Sequence, residues 1–332
     1  MTDLSSLLAA RPVLLADGGM GTGLFGLGLA TGDSPEFWNV LHPDRVEAVH
    51  RGFVEAGSDI ILTNSFGGTR HRLKLHQAQD RVAELNGAAA SVARGVADTA
   101  GRDVLVAGSI GPTGELIAPL GAMTMDEATA AFAEQARALA EGGVDLLWIE
   151  TMSSAEEVEA AVAGAGTTGL PVVVTLSFDT NGCTMMGLTP EAAVALFRRL
   201  PHGPVAFGAN CGTGPGQLLA AVLGLGDAAG GDAVLVAKGN CGIPEYRDGQ
   251  ICYSGTPEVM AEYARLARDS GARIIGGCCG TTAAHLAAMR AALDGADPGP
   301  RPSLAEISAA LGPVVVPGTA DAERGERRRR RA

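Results

Sequence analysis

Two adjacent cysteines, Cys278 and Cys279, end the apolar run Ala272-Arg273-Ile274-Ile275-Gly276-Gly277 and are followed by Gly280. Successive side chains of a regular strand point to opposite faces, so both sulfurs reach one ion only where the backbone turns out of the strand. Glycine on either side permits that turn. A free cysteine is often just a small buried residue, but a vicinal pair enclosed by glycines points to metal ligation. Thiolates suit zinc, and three protein ligands leave a tetrahedral position open for substrate, as a catalytic rather than a structural site requires. The third ligand would come from Cys183, Cys211, Cys241 or Cys252. Cys183 and Cys252 stand in polar, turn-like surroundings. Asn210-Cys211-Gly212 and Asn240-Cys241-Gly242 echo each other, each after an apolar run, and composition and spacing leave both open.

Other polar residues also stand where apolar runs stop. Asp17 opens Asp17-Gly18-Gly19-Met20-Gly21-Thr22-Gly23, Glu150 ends Leu146-Leu147-Trp148-Ile149, and Lys238 follows a further run. A carboxylate at such a place could take a ligand ammonium, and a lysine could form a Schiff base. Gly21-Thr22-Gly23-Leu24-Phe25-Gly26 matches the dinucleotide pattern G-x-G-x-x-G, but the segment that follows is too rich in glycine for the helix that should receive a pyrophosphate. The glycines read better as close-approach backbone for a small anion such as a carboxylate. Trp38 could offer a cation-π face to a quaternary ammonium or sulfonium group.

Eight short β-rich runs position these residues: Val13 to Asp17, Asp59 to Thr63, Val104 to Gly108, Val144 to Glu150, Val172 to Ser177, Val205 to Asn210, Ala233 to Lys238 and Ala272 to Gly277. Each is followed by a stretch with helical spacing. Helix starts are signalled by possible capping boxes at Thr124/Glu127 and Ser154/Glu157, and by Thr189-Pro190 and Thr256-Pro257. Such alternation predicts a closed (β/α)8 TIM barrel of α/β class, at about the ~250 residues usual for that fold. Residues 1–295 would form this single domain. Residues 296–332 would be a linker and a disordered basic tail ending in Arg327 to Arg331, with a short helix at Ser303 to Leu311. On such a barrel Asp17, Glu150, Asn210, Cys211, Lys238, Cys278 and Cys279 share the rim formed by the strand C-termini.

A formal net charge of -12 argues against nucleic acid as a partner. Met1 to Arg11 shows no basic region leading into an apolar one, and no apolar run is long enough to span a bilayer. A cytoplasmic protein without membrane contact is expected, and there six cysteines are thiols or ligands rather than disulfides.

From about Val13 to Leu293 the sequence resembles the homocysteine S-methyltransferase family, most of all its bacterial betaine-type members. The resemblance lies in Asp17-Gly18-Gly19-Met20-Gly21-Thr22, Thr63-Asn64-Ser65-Phe66, Gly108-Ser109-Ile110-Gly111-Pro112, Glu150-Thr151, Gly208-Ala209-Asn210-Cys211 and Gly276-Gly277-Cys278-Cys279-Gly280. It implies a zinc-containing (β/α)8 barrel whose ligands fall on Cys211, Cys278 and Cys279, with Cys241 a neighbour. Homocysteine contacts map to Asp17, the Gly18 region and Glu150; Asn210 and Trp38 are further candidates for substrate contact. The implied reaction is zinc-dependent methyl transfer from betaine to homocysteine, giving methionine and dimethylglycine. S-methylmethionine or S-adenosylmethionine are alternative donors, since Thr151 stands where the animal betaine enzymes carry an aromatic. A cobalamin module after Leu293 is not expected. Other readings are a Schiff-base lyase acting through Lys238 and a non-catalytic zinc- or homocysteine-binding protein. The expected partners are small molecules, with a homo-oligomer possible.

Overall fold

The computed structural model describes residues 3–179, 181–247, 250–295 and 297–315. All eight expected runs are strands: β1 (Leu14–Leu15), β2 (Ile60–Leu62), β3 (Leu105–Ile110), β4 (Leu146–Met152), β5 (Val172–Leu176), β6 (Ala206–Cys211), β7 (Leu235–Gly239) and β8 (Ala272–Gly277). They pair in parallel in the order β1-β8-β7-β6-β5-β4-β3-β2. A single bridge, Ala16 with Ile60, joins the two ends, so the fold is a (β/α)8 barrel. Alternate side chains, among them Leu14, Ile60, Leu105, Trp148, Val236 and Ile274, fill its interior. Their neighbours, such as Leu15, Ile61, Val106, Leu147 and Ile275, pack outward under the helices. Inward and outward positions are both buried, which is why these strands read as continuous apolar runs.

The β1/β2 seam is held largely by carboxylates. Asp17 Oδ2 accepts the Leu62 amide at 2.7 Å, and Asp59 Oδ2 accepts the Leu15 amide at 2.8 Å. These side chains replace ladder bonds, so β1 is shorter than its apolar run.

Helix starts follow the expected chemistry with one difference. Thr124 and Glu127 form a reciprocal capping box, and Thr189 and Thr256 cap helices with proline in the first turn. Ser154 caps Ala155–Gly166, but Glu157 turns away and accepts from the Thr113 amide at 2.8 Å and hydroxyl at 2.7 Å. The buried Thr113 donors compete successfully for that carboxylate.

The helix Leu4–Ala10 plugs the N-terminal end of the barrel, with Leu4 and Leu7 joining the interior core. Within the segment expected as linker and tail, Leu304–Leu311 is a helix capped by Ser303, its Ile307 fully buried, and Gln217 exchanges two hydrogen bonds with the Val315 backbone. The arginine-rich terminus lies outside the described residues. One unanticipated element is an antiparallel hairpin after β7, Pro244–Arg247 with Gln250–Tyr253. Among the described residues no helix is long and apolar enough to cross a membrane.

Candidate metal and substrate site

β6 and β8 deliver the cysteines to one rim. β6 ends with Cys211 at φ 61° and Gly212 at φ 74°, so the chain makes a left-handed turn at its terminus. A non-glycine residue pays strain there, and such strain collects at functional sites. β8 ends at Gly277, after which Cys278 and Cys279 turn out of the strand. The ligand sulfurs of Cys211, Cys278 and Cys279 all lie within 4.8 Å of one another. Close packing makes the neighbouring glycines necessary: a Cβ on Gly19 would sit 2.7 Å from the Cys278 carbonyl oxygen, and one on Gly18 would sit 2.5 Å from that of Thr281. The glycines of the G-x-G-x-x-G match fall inside the helix Met20–Gly26 rather than in a phosphate loop before a helix.

Two asparagines set this turn. Asn240 donates to the Gly212 carbonyl at 2.7 Å and accepts from the Cys279 amide at 3.1 Å, tying the two cysteine segments together. Asn210 accepts the Thr151 amide at 2.8 Å, donates to the Thr151 hydroxyl at 2.7 Å, and lies 4.0 Å from Cys278 Sγ. Its amide is committed to holding Thr151, at φ 63°, beside Cys278. Cys241 stays apart from the trio: it is buried, and its thiol donates to the Gly255 carbonyl at 3.2 Å.

The trio borders a cavity of about 620 Å³ whose floor holds Asp17, Glu150 and Lys238. Lys238 Nζ lies 2.6 Å from Asp17 Oδ1, and Glu150 accepts from the Ser109 hydroxyl at 2.5 Å. Burial acts to lower the Lys238 ammonium pKa, but Asp17 and Glu150 outweigh it and hold the group charged. Burial raises Asp17 and Glu150 above the usual carboxylate range, with Lys238 pulling both partly back. One ammonium thus serves two carboxylates, which leaves room for a ligand cation.

Among the thiols, mutual hydrogen bonds are the largest influence, lowering Cys211 and Cys279 and raising Cys278. Burial and repulsion then push Cys211 up to about 11 and Cys279 up to about 12, and keep Cys278 high. Three sulfurs this close ionise together only with a cation among them. As a soft, three-sulfur donor set, they fit a thiophilic divalent ion such as zinc.

Trp38 is not among the residues that line the cavity. Its ring is 7% exposed, packs with Leu24, Leu29 and Val46, and carries the Arg45 guanidinium 4.9 Å from its centroid. Its π face is thus occupied by a cation of the chain itself. Phe25, Phe66 and the hairpin's Tyr253 line the cavity instead. Tyr253 was foreshadowed by Asp248-Gly249, a hairpin-turn dipeptide between two β-prone stretches.

The homocysteine S-methyltransferase family profile matches residues 14–293. Over 308 residues the chain is 32% identical to the methionine synthases of Mycobacterium tuberculosis and Mycobacterium leprae, covering 88% of this chain. It spans only about a quarter of the length of these relatives, 25% in each case. Among solved structures, the metallated form of the homocysteine methyltransferase MmuM from Escherichia coli superposes with a TM-score of 0.72 at 28% identity, over 87% of this chain and 99% of its own. Its oxidised form gives 0.71 at 27%, over 88% and 99%.

Proposed function

Because the chain belongs to the homocysteine S-methyltransferase family, we propose that it moves a methyl group from an onium donor to the sulfur of L-homocysteine, giving methionine. The observation that carries this reading is the Cys211, Cys278 and Cys279 trio standing beside a floor with more carboxylate than cation. In this proposal the trio holds zinc, which when bound supplies a Lewis acid able to keep a thiol ionised near neutral pH. A cytoplasmic setting, where thiols stay reduced, suits such a ligand set.

The remaining work falls to the chain's own groups. Lys238 offsets one of the two floor carboxylates, and the uncompensated charge of Asp17 and Glu150 would receive the α-ammonium of homocysteine. Ser109 fixes the Glu150 carboxylate by its hydrogen bond. Methyl transfer then needs the homocysteine sulfur in line with the donor carbon. The new S–C bond forms as the donor's C–N or C–S bond breaks, the bonding pair leaves with the donor, and the thiol proton passes to solvent. Holding the two substrates in this order supplies the entropic part of the rate gain. Homocysteine binding is assigned to the barrel, residues 1–295.

Phe25, Phe66 and the Glu36 carboxylate along the cavity support a cationic donor. Betaine is the donor proposed first, with dimethylglycine as the second product; S-methylmethionine and S-adenosylmethionine satisfy the same lining. A lyase acting through Lys238 requires a neutral amine, and the salt bridge to Asp17 opposes one.

The test supplies zinc-loaded protein with homocysteine and each of the three donors in turn, and scores methionine. Product from one donor identifies it. No methionine from any of them sinks the proposal, and a borohydride-trapped adduct at Lys238 would turn it toward the lyase.

A further inference from the structure

A second cavity, of about 1360 Å³, opens at the other end of the barrel. It lies between the plug helix Leu4–Ala10, the starts of β1, β2 and β8, and the end of the helix Ala283–Asp294. Arg11, Arg102, Arg268, Arg273 and Arg290 line it, against Asp59, Asp294 and Asp297. In a chain of formal net charge -12 this is a local reversal of sign.

Asp59 is the hub, 1% exposed. Its carboxylate pairs with Arg11, lies 3.3 Å from Arg290 and 3.6 Å from Arg102, and also accepts the Leu15 amide. Three guanidiniums from three distant segments therefore share one carboxylate. Arg290 has a second partner in Asp294 at 2.6 Å, and Arg268 is paired with Asp269 at 2.9 Å. Arg102 is otherwise held by the carbonyls of Val54 and Ser58, both at 2.8 Å. Arg273 is held by the carbonyls of Leu8 at 2.6 Å, Arg11 at 3.1 Å, and Pro12. Carbonyls fix a guanidinium in place without cancelling its charge. Burial lowers Arg102, Asp59 raises it, and repulsion from Arg11 and Arg290 lowers it again, the mark of positive charge in excess.

Guanidiniums already fixed in position offer phosphate their charge and their remaining N–H groups with little ordering cost. The cavity exceeds what one phosphate needs, and Leu8, Val13 and Leu293 give it apolar wall. Ligand sites commonly measure about 300–1,000 Å³, so an organic group can accompany the phosphates. We propose that this end of the barrel binds a small phosphorylated molecule bearing two or three linked phosphates. The phosphates lie among Arg11, Arg102 and Arg273, and the organic part rests against Leu8 and Leu293. The ligand spans the plug helix and the strand starts, so it stabilises the fold when bound.

The test titrates inorganic tripolyphosphate into full-length, zinc-loaded protein by calorimetry, with sodium sulfate at matched ionic strength as the control. Saturable one-to-one binding and a raised Tm are expected. Arg102→Gln should weaken binding at least ~tenfold by removing a guanidinium charge. Ala9→Glu adds a carboxylate to the exposed cavity wall without removing any bond; it should also weaken binding while leaving methionine formation unchanged. If Arg102→Gln fails to fold, Ala9→Glu alone decides. No saturable binding by the wild type, or binding undiminished in the folded variants, overturns the proposal.

Discussion

The Lys238 ammonium stands 2.6 Å from the Asp17 carboxylate at the cavity floor, with both side chains all but completely buried. It also faces Glu150, so it is the cation that lets two acidic groups share a closed site. Replacing Lys238 by Met removes that cation and leaves buried carboxylates unpaired. Breaking a buried pair from one side costs about 3–5 kcal/mol, and urea unfolding should show a loss of that order. An unchanged midpoint would mean that the carboxylates find compensation elsewhere.

Cys211→Ala separates a catalytic metal from a structural one. The trio edges a cavity rather than the apolar core, so the variant should keep its circular dichroism spectrum and much of its thermal stability. Bound zinc, measured by atomic emission after gel filtration, should be lost, and methionine formation with it. Global unfolding of the variant would instead assign the metal to the fold.

Asn240 does not line the cavity, yet its side chain reaches the Cys211 thiol and joins the turn after Cys211 to the amide of Cys279. It is a positioning residue. Residues of this kind typically govern metal affinity by about 10–100-fold, and Asn240→Ala should weaken zinc by that factor in competition with a chromogenic chelator. Asn240→Asp keeps the acceptor for Cys279 and should recover part of the loss. Equal affinity in all three proteins would leave the turn rigid without this amide.

His50 is fully buried, and neither ring nitrogen has a partner among the described residues. Burial lowers its pKa from 6.5 to about 3, so the folded chain keeps the ring neutral where the unfolded chain protonates it. Its contribution is complete above pH 6.5 and is lost progressively as the pH falls toward 3, by about 1.4 kcal/mol per unit. Denaturation at pH 7 and pH 5 should differ by roughly 2 kcal/mol more in the wild type than in His50→Leu. Parallel curves for the two proteins would show that the ring is hydrated.

The strands were legible because burial on both faces writes Val, Ile and Leu into continuous runs that composition alone reveals. The helix Met125–Glu141 was equally plain, since Ala131, Phe132, Gln135, Ala136 and Leu139 recur at helical spacing and all prove buried. The third cysteine was not decidable from spacing, because Asn210-Cys211 and Asn240-Cys241 have the same local pattern. What separates them is a left-handed φ at Cys211, and a thiol at Cys241 that turns to Gly255. The setting of Trp38 was hidden for a related reason: Leu24, Leu29 and Arg45 bury its ring from neighbouring segments, and no local pattern encodes where loops meet. The hairpin bearing Tyr253 did leave a signal in Asp248-Gly249, hidden by the stronger periodicity of the barrel.

The seam between β1 and β2 is joined at one end by the side chain of Asp17 and at the other by that of Asp59. One of these carboxylates belongs to the cysteine-lined cavity and the other to the arginine-lined cavity. A ligand that draws on either one would therefore act on the same pair of strands. Deuterium uptake at the Leu62 and Leu15 amides, each donated to one of these carboxylates, would report the occupancy of both.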